Sequence, residues 1–149
     1  MKTMQADLAH QANMNDTSGY KDVPGEFKPA SDGYFVLYLG APELKKQTLG
    51  PDYHEYPITG CDQNGDICIA RRYNLFYEFR QALVVKYQGL YIPPLPPKKV
   101  TGKGEEFTLI EREHFLRLFL TECITLKYIS QSQELQTFLH CQGDIKSEL

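Results

Sequence analysis

Residues 66–79 read Asp66-Ile67-Cys68-Ile69-Ala70-Arg71-Arg72-Tyr73-Asn74-Leu75-Phe76-Tyr77-Glu78-Phe79, and within them the apolar period changes. The first half is a short β-branched run, read as a strand over residues 66–73. From Phe76 onward the apolar positions are Phe76, Phe79, Leu83 and Tyr87, spaced i, i+3, i+7 and i+11. That spacing is one stripe of a helix, read over residues 74–87, with Asn74 able to cap it through its side-chain oxygen. A strand running directly into a helix, with two arginines and a tyrosine at the junction, organises everything on either side.

Upstream, Asp62-Gln63-Asn64-Gly65 precedes the strand. Asn-Gly is the strongest short hairpin signal, because both residues tolerate positive φ in a type I′ turn. A partner strand is therefore expected over residues 54–60. An earlier run, Tyr34-Phe35-Val36-Leu37-Tyr38-Leu39, lies between Gly33 and Gly40 and supplies a third. A calcium loop over Asp62, Asn64 and Asp66 fails, because Ile67 and Tyr73 stand where a glycine and a closing glutamate are needed. Downstream, Tyr91-Ile92-Pro93-Pro94-Leu95-Pro96-Pro97-Lys98-Lys99 forbids helix and favours polyproline II. Two more helices are read over residues 109–125 and 132–140. The first buries Leu116, Phe119, Leu120 and Cys123, and the second Leu135, Phe138 and Leu139. Strands first and helices afterwards give an α+β domain: a three-stranded antiparallel β-sheet packed against a helical bundle, with a proline-rich loop. The folded domain spans residues 33–141. Residues 1–32 read as a flexible polar N-terminal tail, and residues 142–149 as a short C-terminal tail.

The 149 residues suit one domain. Net charge is −3, which argues against general nucleic-acid binding. The charge is uneven, however. Residues 71–127 hold ten Lys/Arg against six Asp/Glu, while the rest of the chain is acidic. A local anionic partner is implied. The four cysteines show no CxxC spacing, so no metal site is expected. Cys68 and Cys123 read as small core residues, and no nucleophile motif surrounds any cysteine, so the chain does not read as an enzyme. With no apolar leader and no spanning run, a reducing cytosolic setting is expected.

Three basic features stand apart in sequence: Arg71-Arg72-Tyr73, Lys98-Lys99, and Arg112 in the long helix. Only one of Arg71 and Arg72 can face a given site, since neighbouring strand side chains point to opposite faces. A guanidinium fork suits a phosphate, a tyrosine ring suits a sugar-like ring, and a lysine supplies a mobile point charge. Each feature also has an ordinary reading: a solvated strand end, a surface lysine pair, a solvated helix face, or a PxxP ligand for an SH3 domain.

Taken in order, these features resemble the PX (phox-homology) domain family. Arg71-Arg72-Tyr73-Asn74-Leu75-Phe76 is similar to its Arg-Arg-Tyr/Phe-x-x-Phe motif, and Pro93-Pro94-Leu95-Pro96-Pro97-Lys98 to its proline loop ending in a basic residue. Ile110-Glu111-Arg112 with Leu116 and Phe119-Leu120 is similar to its next helix. Within that family the chain resembles the sorting nexins. Many of those carry a further membrane-curving helical domain, which this chain is expected to lack.

The resemblance implies a lipid pocket for phosphatidylinositol 3-phosphate, with no cofactor. Arg72 would hold the 3-phosphate, Tyr73 would stack under the inositol ring, Lys98 would meet the 1-phosphate, and Arg112 would bind the 4- and 5-hydroxyls. Arg71, Ile92, Lys99, Val100 and Lys103 are the candidate membrane contacts. The expected role is recruitment of a cytoplasmic protein, peripherally, to endosomal membranes for sorting, with trafficking proteins as partners. A protein-binding adaptor of the same fold is the alternative. Asn74-Leu75 replaces the family's frequent Ser-Asp, and Glu113 stands where relatives often carry a basic or polar residue.

Overall fold

The computed structural model describes residues 26–27, 35–98, 104–143, 145 and 148–149. Its elements are β1 (Glu26–Phe27), β2 (Phe35–Leu39), β3 (Glu43–Lys45), β4 (Tyr53–Asp62), β5 (Gly65–Arg72), α1 (Tyr73–Lys86), α2 (Glu105–Thr125), α3 (Lys127–Ser130) and α4 (Gln133–His140). The three expected strands are β2, β4 and β5. The two additional ones are short: β1 pairs with β2, and β3 pairs with the start of β4. β1 lies inside the segment expected to be tail. All pairings are antiparallel, and β4 is central, with β5 on one edge and β2 and then β3 along the other.

Pro57 explains why that second edge is split between two strands. A proline cannot donate to a ladder. Its carbonyl accepts from Gly40 N at 2.8 Å, so its nitrogen points to the same edge, where β2 has ended at Leu39 and β3 has not begun. Gly40 is needed there, because a Cβ would lie 2.7 Å from Pro57 Cγ.

The β4–β5 hairpin forms at the Asn-Gly signal, but its corner sits one residue earlier. Asp62 pairs with Gly65, leaving Gln63 and Asn64 as the corner. The Asp62 carboxylate decides this. One oxygen accepts the Asn64 N–H at 2.7 Å, an Asx turn, and the other meets His140 Nε2 at 3.0 Å. Asp62 is therefore committed to the hairpin and to α4.

Helices α1, α2 and α4 cover the sheet. Phe138 of α4 stacks on Phe79 of α1 at 4.6 Å and meets Phe76 edge-on at 5.0 Å. Phe79 in turn meets Phe119 of α2, and Phe76 meets Tyr56 of β4. This aromatic cluster joins both layers, with Leu37, Ile58, Leu83, Leu116 and Leu120 packed around it. Contacts of this kind add about 0.5–1.5 kcal/mol per pair beyond area burial.

Two local expectations fail. Helix α1 begins at Tyr73 with Arg72 at the cap position and no side-chain cap bond, so Asn74 sits inside the first turn instead of capping it. Cys68 is exposed, because the alternation that buries Ile67 and Ile69 turns it outward. Cys123 is in the core as expected, and burial pushes its thiol well above the ordinary value. At the other end of the chain, Ser132 caps α4, its hydroxyl accepting from Leu135 N at 3.1 Å.

Gly60 is the tightest backbone position. Its φ is +146°, and a Cβ there would lie 1.8 Å from the Val36 carbonyl oxygen of β2. Gly60→Ala is expected to cost roughly 2–4 kcal/mol, read as a lower urea midpoint, whereas Gly143→Ala, with open space around its Cβ position, should leave the midpoint unchanged.

Candidate functional site

The site is assembled by the end of β5, the start of α1, the start of β4, the proline segment and α2. Alternation along β5 turns Arg71 inward and Arg72 outward. Arg72 pairs with Glu55 across the ladder, which puts it on the same face as Tyr53 two residues away, and its Cζ lies 4.0 Å above the Tyr53 ring. Tyr73, the next residue, opens α1 with its ring buried at 7% exposure.

The proline segment is held by α1. A polyproline stretch makes no internal hydrogen bonds, and its prolines offer only carbonyl acceptors. Residues 73, 77 and 80 share one helix face and engage that segment. Tyr73 OH donates to Pro96 O, and Arg80 Nε donates to Pro93 O at 2.7 Å. Lys98 Nζ rests 3.9 Å from the Tyr77 ring centre. Pro93 and Pro96 are buried, so these prolines are wall, not a free ligand for an SH3 domain.

Arg112 closes the arrangement from α2. Its Cζ lies 4.5 Å over the Tyr73 ring, and its Nη2 donates to the Lys98 carbonyl. Three residues distant in sequence thus surround one cavity of about 250 Å³, lined by Arg72, Tyr73, Asn74, Lys98 and Arg112 together with Asp52, Tyr53, His54 and Tyr56. Among the described residues no carboxylate forms an ion pair with Arg72, Lys98 or Arg112. Two buried polar atoms at the cavity, Tyr56 Oη and Arg112 Nε, also have no hydrogen-bond partner there. Burial pushes the Tyr56 phenol up to about 12, with Arg112 opposing, and raises Tyr73 for the same reason. Both phenols are therefore neutral donors at physiological pH. Unpaired buried donors beside uncompensated cations are what an anionic, hydroxylated ligand would satisfy.

Of the candidates that the sequence suggests, Arg72, Tyr73, Lys98 and Arg112 line this cavity. Two expected membrane contacts are corrected. Arg71 is 5% exposed, donates through Nε to Phe138 O at 3.0 Å and through Nη2 to Cys141 O, and so closes the C-terminal end of α4. Burial lowers its pKa from the usual arginine value, and these carbonyls at the negative end of the helix dipole hold the charge. Ile92 is 7% exposed and belongs to the core. Lys99, Val100 and Lys103 lie outside the described residues. Sequence reading misses Tyr53, His54, Asp52 and Arg80. Arg80 has a signal, seven residues beyond Tyr73 on one helix face. The other three depend on the β4–β5 register, which no local pattern states.

An α+β domain with a cationic cleft between sheet, helix and proline wall is a known class. The family model described as "PX domain" matches residues 59–142. The chain belongs to the PX-domain family. Among similar proteins, the sorting nexin lst-4 of Caenorhabditis elegans is 30% identical over 120 residues, covering 80% of this chain and 21% of that protein. The sorting nexin MVP1 of Candida albicans is 30% identical over 131 residues, 83% of this chain and 17% of that protein. The chain thus spans about a fifth of the length of these relatives. The X-ray structure of a designed CISK-PX domain superposes with a TM-score of 0.56 over 68% of this chain and 97% of that one, at 24% identity, which establishes the fold. No described helix is long and apolar enough to cross a membrane.

The two neighbouring arginines should separate cleanly. Arg71→Ala leaves two helix-end carbonyls without their donor and is expected to cost about 2–4 kcal/mol. Arg72→Ala, at an exposed position, should change stability by less than about 0.5 kcal/mol. Paired urea titrations measure both.

Proposed function

We propose that this chain is a non-catalytic module that reads phosphoinositides, with phosphatidylinositol 3-phosphate as its headgroup and endosomal membranes as its destination. The observation that carries the reading is the convergence of Arg72, Lys98 and Arg112, none paired with a described carboxylate, on a single cavity with unpaired buried donors. In this reading the Arg72 guanidinium takes the 3-phosphate by paired charge-assisted bonds. Lys98, held over Tyr77 at the end of the proline wall, meets the 1-phosphate. Arg112 donates to the 4- and 5-hydroxyls.

Tyr73 takes a different part from the one its sequence context implies. Arg112 already covers one face of the ring, and the hydroxyl ties the proline wall to α1. The ring is therefore the floor on which Arg112 is positioned, and the inositol meets Arg112 first. Asp52 on the cavity wall adds a negative charge, which favours a headgroup with few phosphates over a multiply phosphorylated one. Lys99 and Lys103, following Lys98 in a basic stretch, supply attraction to anionic lipid of about 1 kcal/mol each near the surface. A single module of this kind binds reversibly, and a second contact strengthens it through avidity. Trafficking proteins of the kind that sorting-nexin relatives imply are the expected source of that contact.

Flotation with vesicles carrying single phosphoinositides tests the reading. Wild-type chain is expected on vesicles with the 3-phosphate lipid, and Arg72→Ala to bind them at least about tenfold more weakly. Arg112→Ala is expected to lose selectivity among headgroups as well as affinity. Equal flotation of wild type and Arg72→Ala sinks the pocket assignment, and no flotation of wild type on any phosphoinositide favours the protein-adaptor reading.

A further inference from the structure

Tyr56, in the first half of β4, is a phenol at 1% exposure whose oxygen has no hydrogen-bond partner among the described residues. The polar groups around it are engaged elsewhere. Its cross-strand neighbour Arg71 donates to the carbonyls of Phe138 and Cys141. Tyr73 OH, at the same cavity, donates to Pro96 O. Glu113, whose charge reaches the phenol, is paired with Arg117 at 2.8 Å. Arg112 donates through Nη2 to Lys98 O, while its Nε is buried and also without a partner. Two unsatisfied polar atoms thus belong to one cavity, although buried polar atoms in folded proteins nearly always find partners.

Packing alone does not call for this hydroxyl. The Tyr56 ring meets Phe76 edge-on at 6.2 Å, a contact that a phenylalanine would make as well. A buried hydroxyl with no partner costs stability in the empty domain, so phenylalanine would serve the core better. The donor set indicates what the hydroxyl is for. Arg112 Nε can only donate, whereas a neutral phenol both donates and accepts. Burial pushes the Tyr56 phenol up to about 12, so it stays neutral. A sugar hydroxyl matches the pair: its oxygen accepts from Nε–H and its hydrogen goes to the phenol oxygen. A phosphate oxygen has no hydrogen to give and leaves the phenol's acceptor unused.

We propose that Tyr56 Oη and Arg112 Nε form an inner subsite that reads a free ring hydroxyl of the headgroup, on the edge that Arg112 faces. The inference rests on the phosphoinositide reading above and adds to it the acceptor that Arg112 lacks. A guanidinium alone suits a phosphate at least as well as a hydroxyl, so Arg112 by itself does not select against phosphorylation on that edge. Neither atom is open to solvent in this structure. Arg112 is a flexible side chain held by one bond to Lys98 O and by the Tyr73 ring. Its shift toward the headgroup gives the ring hydroxyl access to both atoms.

The test compares the full chain with its Tyr56→Phe variant, using urea titration and calorimetric binding of soluble inositol 1,3-bisphosphate and its 4,5-dideoxy analogue. The urea midpoint of Tyr56→Phe is expected to be equal to or above that of wild type, since no bond is lost. Its affinity for the bisphosphate should fall at least about fivefold. Wild type should bind the dideoxy analogue much more weakly than the bisphosphate, and wild type and variant should bind that analogue alike. Equal affinity of the two proteins for the bisphosphate overturns the subsite and leaves the headgroup reading standing. A lower urea midpoint in Tyr56→Phe overturns it as well, because the hydroxyl is then structural. So does a loss of affinity that persists with the dideoxy analogue, since the phenol then acts elsewhere. Wild type that binds neither the bisphosphate nor vesicles carrying the 3-phosphate lipid sinks the headgroup reading and the subsite with it.

Discussion

Successive side chains of a β-strand point to opposite faces, and at the end of β5 this places two adjacent guanidinium groups in different surroundings. Arg71 turns inward and donates to the final carbonyls of α4, where burial makes its charge costly unless every donor is used. Arg72 turns outward over Tyr53 and keeps its fork open to the cavity. The inward arginine ties the last helix to the sheet, and the outward one defines a binding site. Reversing the register by one residue would exchange the two and lose both.

The proline wall shows a second economy. Its residues cannot satisfy one another, so α1 satisfies them with Tyr73 and Arg80. The same tyrosine then serves as a floor for Arg112. Packing of the wall and placement of Lys98 and Arg112 are therefore one problem, solved by a single helix face. A loop so engaged delivers Lys98 to a defined place beside the cavity, which a mobile linker would not do.

Helix α2 completes the core with Leu116, Phe119, Leu120, Cys123 and Ile124 and carries Arg112 to the cavity.

Much of this is legible in residues 35–140. The change from period 2 to period 3.6 across Arg72 and Tyr73 locates the strand-to-helix junction, since local geometry alone sets those periods. The ordered set of Arg72, Tyr73, Lys98 and Arg112 points to the cavity residues without any coordinates. Other assignments need the assembled chain. At the hairpin corner, Asp62 holds the Asn64 N–H with one oxygen and meets His140, 78 residues away, with the other. Ile92 and Arg71 look like surface residues in the sequence and are interior in the fold. Tyr53 and His54 enter the site only through cross-strand register. Propensity and pattern report what neighbours along the chain prefer. Which side chain meets which, across distances the chain itself does not encode, is decided when the sheet and helices close on each other.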